Sequence, residues 1–313
     1  MVDRLGFPAG QLPSEKQWLR DNARLEKWQL MLSRWDFEVR SRKQRLKLRV
    51  RKGIPACLRA KVWWELASAE VTRTSNPPEL FTALRQIAFS EQIQKDAHRT
   101  FPTNVLFREV AGQQRLCQVL QAYAAFDPDV GYCQGMGALA ALLLLFLDEE
   151  RCFWLLATLM QRYELKGLYA TGLPHLYRTL FIATRLLRAF LPKVHTHFQH
   201  LQLAPSLFLN KWLLSQFAQG FAPETSLRIC DAFLLEGEKV WFRVILAVLE
   251  LAGKPLLSAD LDQALRLIET TAEVLAPDPM FRVAFHYHLS RKAIAALDTE
   301  YQSAGREQDY ATW

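Results

Sequence analysis

The sequence predicts an all-α protein, and three observations carry that expectation. Apolar residues recur at helical 3–4 spacing from one end of the 313-residue chain to the other. The apolar segments are fenced by Gly, Pro and Asn/Asp. The one short period-2 stretch, Arg45–Arg51, is charged at every second residue, so no sheet is expected. Half of the residues are apolar, enough for a well-buried core. With no self-similarity at a period of about 33–47 residues, a solenoid is not indicated. The expected architecture is an irregular multi-helix bundle, with two helical lobes as one form of it.

The first element expected is one amphipathic helix carrying Leu25, Trp28, Leu32 and Trp35, preceded by a capping box at Ser14 and Gln17. Its Trp28 and Trp35 stripe is read as helix packing. Further helices are expected over 56–68, 79–88, 90–99, 113–125, 135–147, 150–163, 173–190, 206–219, 223–235, 238–252, 259–276 and 279–297. Their boundaries rest on Pro55, Pro77-Pro78, Pro102, Asp127-Pro128, Gly172, Pro192, Pro205, Pro223, Gly237, Gly253 and Pro277.

The net charge of +7 is local. Residues 1–53 hold 14 Lys/Arg against 6 Asp/Glu, while the remainder holds 25 against 26. Arg40, Arg42, Lys43, Arg45, Lys47, Arg49, Arg51 and Lys52 run without an acid among them. That run reads as a solvated face or loop, with an anionic membrane surface or acidic partner as the alternative. Nucleic acid is not expected, because no aromatic platform or nucleic-acid-binding motif accompanies the charge. The five cysteines are spread without a CxxC pair and read as reduced core thiols. The longest apolar run, Met136–Leu147, falls well short of the ~20 residues that span a bilayer, and no signal-peptide pattern opens the sequence. A cytoplasmic location is therefore expected, including the periphery of endomembranes.

Several chemistries lack their residues. There is no GxxxxGK[ST], GxGxxG after a strand, HExxH or GxSxG pattern, so neither a nucleotide site nor a cofactor of the chain's own is expected. His195, His197 and His200 stand at i, i+2 and i+5, which do not share a helix face. They are read as a solvated helix end after Pro192 rather than as metal ligands.

Two segments stand out. In Ile93–Pro102, Asp96 and Arg99 are three residues apart near a helix end, within reach of each other. Pro102 disfavours helix at Phe101, so the helix should stop near Arg99 and release its side chain outward. The plainer alternative is an ordinary surface ion pair. In Gly131–Met136, Gln134 follows the Asp127-Pro128-Asp129 turn and precedes an apolar helix. It therefore lies at a helix N-terminus, where free N–H groups favour a phosphate oxygen or a polarised water, or else it serves as a cap.

Together these segments resemble the TBC domain of Rab GTPase-activating proteins. That family's RxxxW motif appears as Arg59–Trp63, its IxxDxxR as Ile93–Arg99, and its YxQ as Tyr132-Cys133-Gln134, in the family's order. The resemblance continues through Lys211-Trp212, Arg228-Ile229-Cys230-Asp231 and Glu236-Gly237. Cys230 stands where the family commonly has Trp, and Gly137 where it often has a small polar residue. The chain divides accordingly into an N-terminal amphipathic helix and basic segment (1–49), a TBC domain (50–300) and a C-terminal tail (301–313). The resemblance implies a protein that stimulates GTP hydrolysis on a GTP-loaded Rab, in vesicle trafficking, with GTP and Mg2+ carried by the partner. It makes Arg99 an arginine finger and Gln134 a glutamine finger. Arg59, Trp63, Asp96 and Tyr132 then support the site or touch the partner; for Tyr132, an interface anchor and a core ring stand equally open. An inert TBC-like Rab-binding or scaffold module is the alternative.

Overall fold

The computed structural model describes residues 2–3, 5–8, 15–88 and 90–303. Among these the regular structure is helical: nineteen α-helices, one short 3-10 turn and an isolated bridge between Val2 and Pro8. The chain forms two compact units, Met1–Glu164 and Leu165–Trp313. Among the described residues no helix is long and apolar enough to cross a membrane.

The first unit contains α1 (Glu15–Leu32), α2 (Trp35–Ser41), α3 (Lys43–Arg51), the 3-10 turn Ala56–Leu58, α4 (Arg59–Ala67), α5 (Ala69–Thr74), α6 (Leu80–Leu84), α7 (Glu91–His98), α8 (Val110–Phe126), α9 (Met136–Leu144) and α10 (Glu149–Arg162). Its centre is α9, which is apolar all round, so every one of its 9 residues is buried. Helices α8 and α10 pack on α9 and on each other, and α7 packs on α8 and α9. The side chain of Asp148 caps α10 by accepting from Arg151 N at 2.8 Å, and Cys152–Met160 form its buried stretch.

The second unit contains α11 (Lys166–Tyr169), α12 (Pro174–Phe190), α13 (Pro192–His200), α14 (Ser206–Leu214), α15 (Pro223–Glu236), α16 (Lys239–Leu256), α17 (Leu261–Val274), α18 (Pro277–Ala284) and α19 (Arg291–Ser303). Helix α16 is its core element, contacted by α12, α15, α17 and α18. Arg178 of α12 bridges Asp298 of α19 at 2.7 Å and Glu238 at 2.6 Å. A capping box at Asp260 and Gln263 opens α17.

The structure corrects the sequence expectations at several points. The single helix through Trp35 is broken at Ser33-Arg34, where Ser33 Oγ donates to Leu30 O at 3.0 Å and Arg34 leaves helical geometry; Trp35 begins α2. Of the two readings of the basic run, a solvated face or a loop, the loop is corrected: the run is helical on either side of Arg42, and Leu46 and Val50, four residues apart, bury one side of α3. The helix expected over 279–297 is two helices: Arg243 captures the carbonyls of Tyr287 and Leu289 at 3.1 and 3.3 Å, holding the intervening chain out of helical pairing. Residues 215–219 do not continue α14, since Gln216 and Phe217 take positive φ. His195 is buried rather than solvated, and burial, with Arg188 and Arg185 nearby, pushes its imidazole pKa down. His197 Nε2 lies 3.0 Å from Ala259 O. Cys117, Cys152 and Cys230 are buried, but Cys57 is exposed and Cys133 half-buried. The capping box at Ser14 and Gln17 lies outside the described residues and side chains, as does the tail beyond Ser303.

Candidate functional site

Helix α7 fixes Arg99. Ser90 Oγ caps its start by accepting from Ile93 N at 3.2 Å, and Ile93 and Ala97 bury its apolar side. His98 is its last helical residue, and two residues past the helix-capping Arg99 the chain turns through Phe101 at φ +47°. Arg99 therefore sits at the helix end with 58% of its side chain exposed, against 6% for Asp96. Arg99 Nε and Nη2 donate to the same oxygen, Asp96 Oδ1, at 2.9 and 2.8 Å. Gln92 Nε2 also donates to Oδ1, at 3.1 Å, and Tyr132 OH donates to Oδ2 at 2.6 Å. Thr100 Oγ1 donates to the backbone carbonyl of Asp96 at 2.7 Å.

Burial pushes the Asp96 carboxyl pKa up, but the hydrogen bonds from Tyr132, Arg99 and Gln92 outweigh it and hold the group below the ordinary carboxylate value. Asp96 is thus an anion with four side-chain donor contacts. Burial, together with that anion, pushes the Tyr132 hydroxyl pKa up, so it remains a donor.

The second segment is set by backbone geometry. Val130 N and Gly131 N both donate to Asp127 O, at 3.2 and 2.8 Å, closing the turn. Gly131 at φ +61° and Gly135 at φ +105° take conformations that an L side chain would strain. Between them Tyr132 turns its ring inward and Gln134 is exposed, one residue before the Gly135 N-cap of α9. Because α9 is wholly buried, this end of it is anchored. At Gly137 an added Cβ would lie 3.5 Å from both Thr100 Oγ1 and Tyr132 OH, so the first turn of α9 passes close to the end of α7. The Tyr132–Asp96 bond joins the two segments singled out in the sequence, across 36 residues.

Arg59 and Trp63 lie elsewhere in the unit. Arg59 is 5% exposed with its guanidinium 5.4 Å over the Phe146 ring, and the fully buried Trp63 meets the same ring edge-on at 5.3 Å. They grip the residues that follow α9. Gln92 and Thr100 were missed from sequence, although both stand at i±4 from Asp96, a spacing that signals contact on a helix. Among the described residues no cluster of His, Cys, Asp or Glu is arranged to hold a metal ion.

A helical unit that holds an exposed guanidinium at Arg99 and an exposed Gln134, on two segments joined through the buried Asp96 carboxylate and Tyr132, is of a class able to offer hydrogen-bond donors to another molecule. Comparison with known proteins narrows that class. The Rab-GTPase-TBC domain model matches residues 56–257. Carabin of Mus musculus is 38% identical over 261 residues, covering 80% of this chain and 58% of Carabin. The Rab GTPase-activating protein tbc-11 of Caenorhabditis elegans is 34% identical over 248 residues, covering 77% of this chain and 26% of that protein. The crystal structure of the Chlamydomonas flagellar RabGAP TBC domain superposes with a TM-score of 0.75 at 27% identity, over 92% of this chain and 100% of that one. The chain belongs to the Rab-GTPase-TBC domain family, and it spans only part of the length of these two curated relatives.

Proposed function

We propose that the chain is a GTPase-activating protein that binds a Rab-family small GTPase in its GTP form and supplies Arg99 and Gln134 to the partner's active site. The observation that carries this reading is the exposed Arg99 guanidinium, held at a helix end by Asp96 and coupled through Tyr132 to the segment bearing Gln134. A guanidinium has five N–H donors; two point at Asp96 Oδ1, and three remain for phosphate oxygens. Positive charge delivered there stabilises the transferring phosphoryl group, a contribution worth about 10³–10⁵ in rate for fingers of this kind. The Gln134 carboxamide both donates and accepts, as a group orienting the attacking water must. The anion at Asp96 keeps the finger aimed while 58% of the Arg99 side chain stays exposed to a partner. GTP and Mg2+ arrive with the partner.

The alternative, a TBC-like module that binds without stimulating turnover, differs in one measurement. Phosphate release from GTP-loaded Rabs is followed under single-turnover conditions with wild type, Arg99→Lys and Gln134→Ala. Acceleration of a Rab by wild type, with most of it lost in both variants while binding persists, is expected; a lysine keeps the charge but not the planar fork. GTP-dependent binding without faster release from any Rab supports the inert module instead.

Contact with an anionic endomembrane surface is a second part of the reading, because α2 and α3 leave Arg40, Arg42 and Lys43 exposed near Arg45, Lys47 and Arg49 in sequence, with Phe37 and Leu48 also exposed. Charge beside exposed apolar side chains is the composition that anionic lipid binds.

A further inference from the structure

The loop that follows Arg99 is not held by α7 and α8 alone. Residues 2–3 and 5–8 belong to a small closed turn: Asp3 Oδ1 accepts from Leu5 N and Phe7 N at 2.8 and 2.9 Å, and Val2 bridges Pro8. This turn is fastened to the loop at three points. Asn104, fully buried, donates from Nδ2 to Leu5 O at 2.8 Å while its Oδ1 accepts from Leu106 N at 2.9 Å. Val105 N donates to Gly6 O at 2.9 Å. Phe7, 8% exposed, sets its ring edge-on against Phe101 at 5.5 Å, and Phe101 in turn meets Phe107 at 6.0 Å.

Phe101 is two residues past the finger and sits at φ +47°, a conformation that a bulky L residue keeps only when its surroundings fix it. Its ring is braced between Phe7 and Phe107. Thr100, between Phe101 and Arg99, is itself buried and bonded to the Asp96 carbonyl. Any relaxation of Phe101 therefore passes through Thr100 to the backbone of Arg99. Gly6 fits the arrangement closely: it sits at φ +82°, and a Cβ there would come within 2.6 Å of Val105 Cγ2.

We infer that residues 5–7 are a positioning clamp for the arginine finger: Phe7 and the backbone of Leu5 and Gly6 hold the Phe101–Phe107 loop so that α7 ends where Arg99 can reach a bound GTPase. This rests on the reading of Arg99 as the finger. Displacing a reacting group by about 1 Å can cost on the order of 100-fold in rate, so loosening the clamp should lower turnover while leaving the docking surface unchanged.

The test uses the full chain and a Rab that wild type accelerates. Phe7→Ala and Gly6→Val are compared with Phe7→Leu, which restores apolar volume, and each is also made on Arg99→Ala. Expected is a limiting single-turnover rate about tenfold lower in Phe7→Ala and Gly6→Val, an unchanged half-saturating concentration, partial rescue in Phe7→Leu, and no further loss on Arg99→Ala. Faster hydrogen exchange at Val105, with the rest of the unit protected, would mark a folded protein with an open clamp. Wild-type limiting rates in both variants, or the same loss with Arg99 already removed, would overturn the clamp and leave the finger standing. A wild-type chain that accelerates no Rab overturns the finger reading and the clamp with it.

Discussion

A carboxylate with 4% of its surface exposed needs partners for both oxygens, and Asp96 draws them from Gln92, Arg99 and Tyr132. Part of this was legible: the three-residue spacing of Asp96 and Arg99 announced their contact. The Tyr132 bond was not, because it spans 36 residues and depends on how α9 packs beside α7. The clamp was less legible still, since Asn104 and Leu5 are 99 residues apart and neither belongs to a motif. Removing the phenol in Tyr132→Phe leaves Asp96 Oδ2 buried without its donor, so the carboxyl pKa should rise. The wild-type group lies below its unfolded value, and the stability it contributes is present at neutral pH and lost as pH falls through the native pKa. We expect Tyr132→Phe to cost about 1–3 kcal/mol at neutral pH. That gap should narrow as pH falls through the raised native pKa of the variant and close below the depressed native pKa of the wild type, because the unfolded carboxyl is the same in both and cancels. Urea unfolding of both proteins across this range checks it; a gap independent of pH would mean that Tyr132 acts through packing alone.

At the scale of elements, long helices bounded by Pro or Gly were readable from sequence, and α8, α10, α12 and α15 begin and end within a few residues of expectation. Those that escaped are short or masked by charge. In α3 the charged alternation hid Leu46 and Val50, and the break between α18 and α19 is imposed by Arg243, which no local pattern reveals. The junction of α8 with the loop that follows Arg99 is similarly a matter of packing. Gly112 lies in the first turn of α8, where a Cβ would fall 1.8 Å from Leu106 O, a backbone atom that cannot rotate aside. Gly112→Ala should therefore destabilise the protein by about 1–3 kcal/mol or more through overpacking. Gly172, at φ +80° with open space around it, is the contrast: its alanine variant meets only the left-handed penalty of roughly 1–2 kcal/mol. Thermal midpoints should rank Gly112→Ala below Gly172→Ala, and the reverse order would place the strain in φ rather than in the contact with Leu106.

For the molecule as a whole, the distribution of charge matters more than its sum. The net +7 resides in the first 53 residues, and the rest of the chain is close to neutral. Folding the run into α2 and α3 sorts its members. Arg45 turns toward the buried Glu38 at 3.4 Å, and Arg42 lies over the Phe37 ring at 5.1 Å while remaining exposed. Arg40, Arg42 and Lys43 are therefore the charges best placed to meet an anionic surface, each contributing roughly 1 kcal/mol near charged lipid. Three such contacts amount to about 3 kcal/mol, enough for weak association that fades with salt, because charges beyond ~10 Å are screened at 0.1 M. Cosedimentation with phosphatidylserine-containing vesicles should show low-salt binding that is absent from phosphatidylcholine alone, and Arg40→Glu/Arg42→Glu/Lys43→Glu should abolish it while leaving the acceleration of phosphate release from a Rab in solution unchanged. Equal association with neutral vesicles would assign the contact to Phe37 and Leu48, and no association with anionic vesicles at low salt would make the basic segment a solvated helical face.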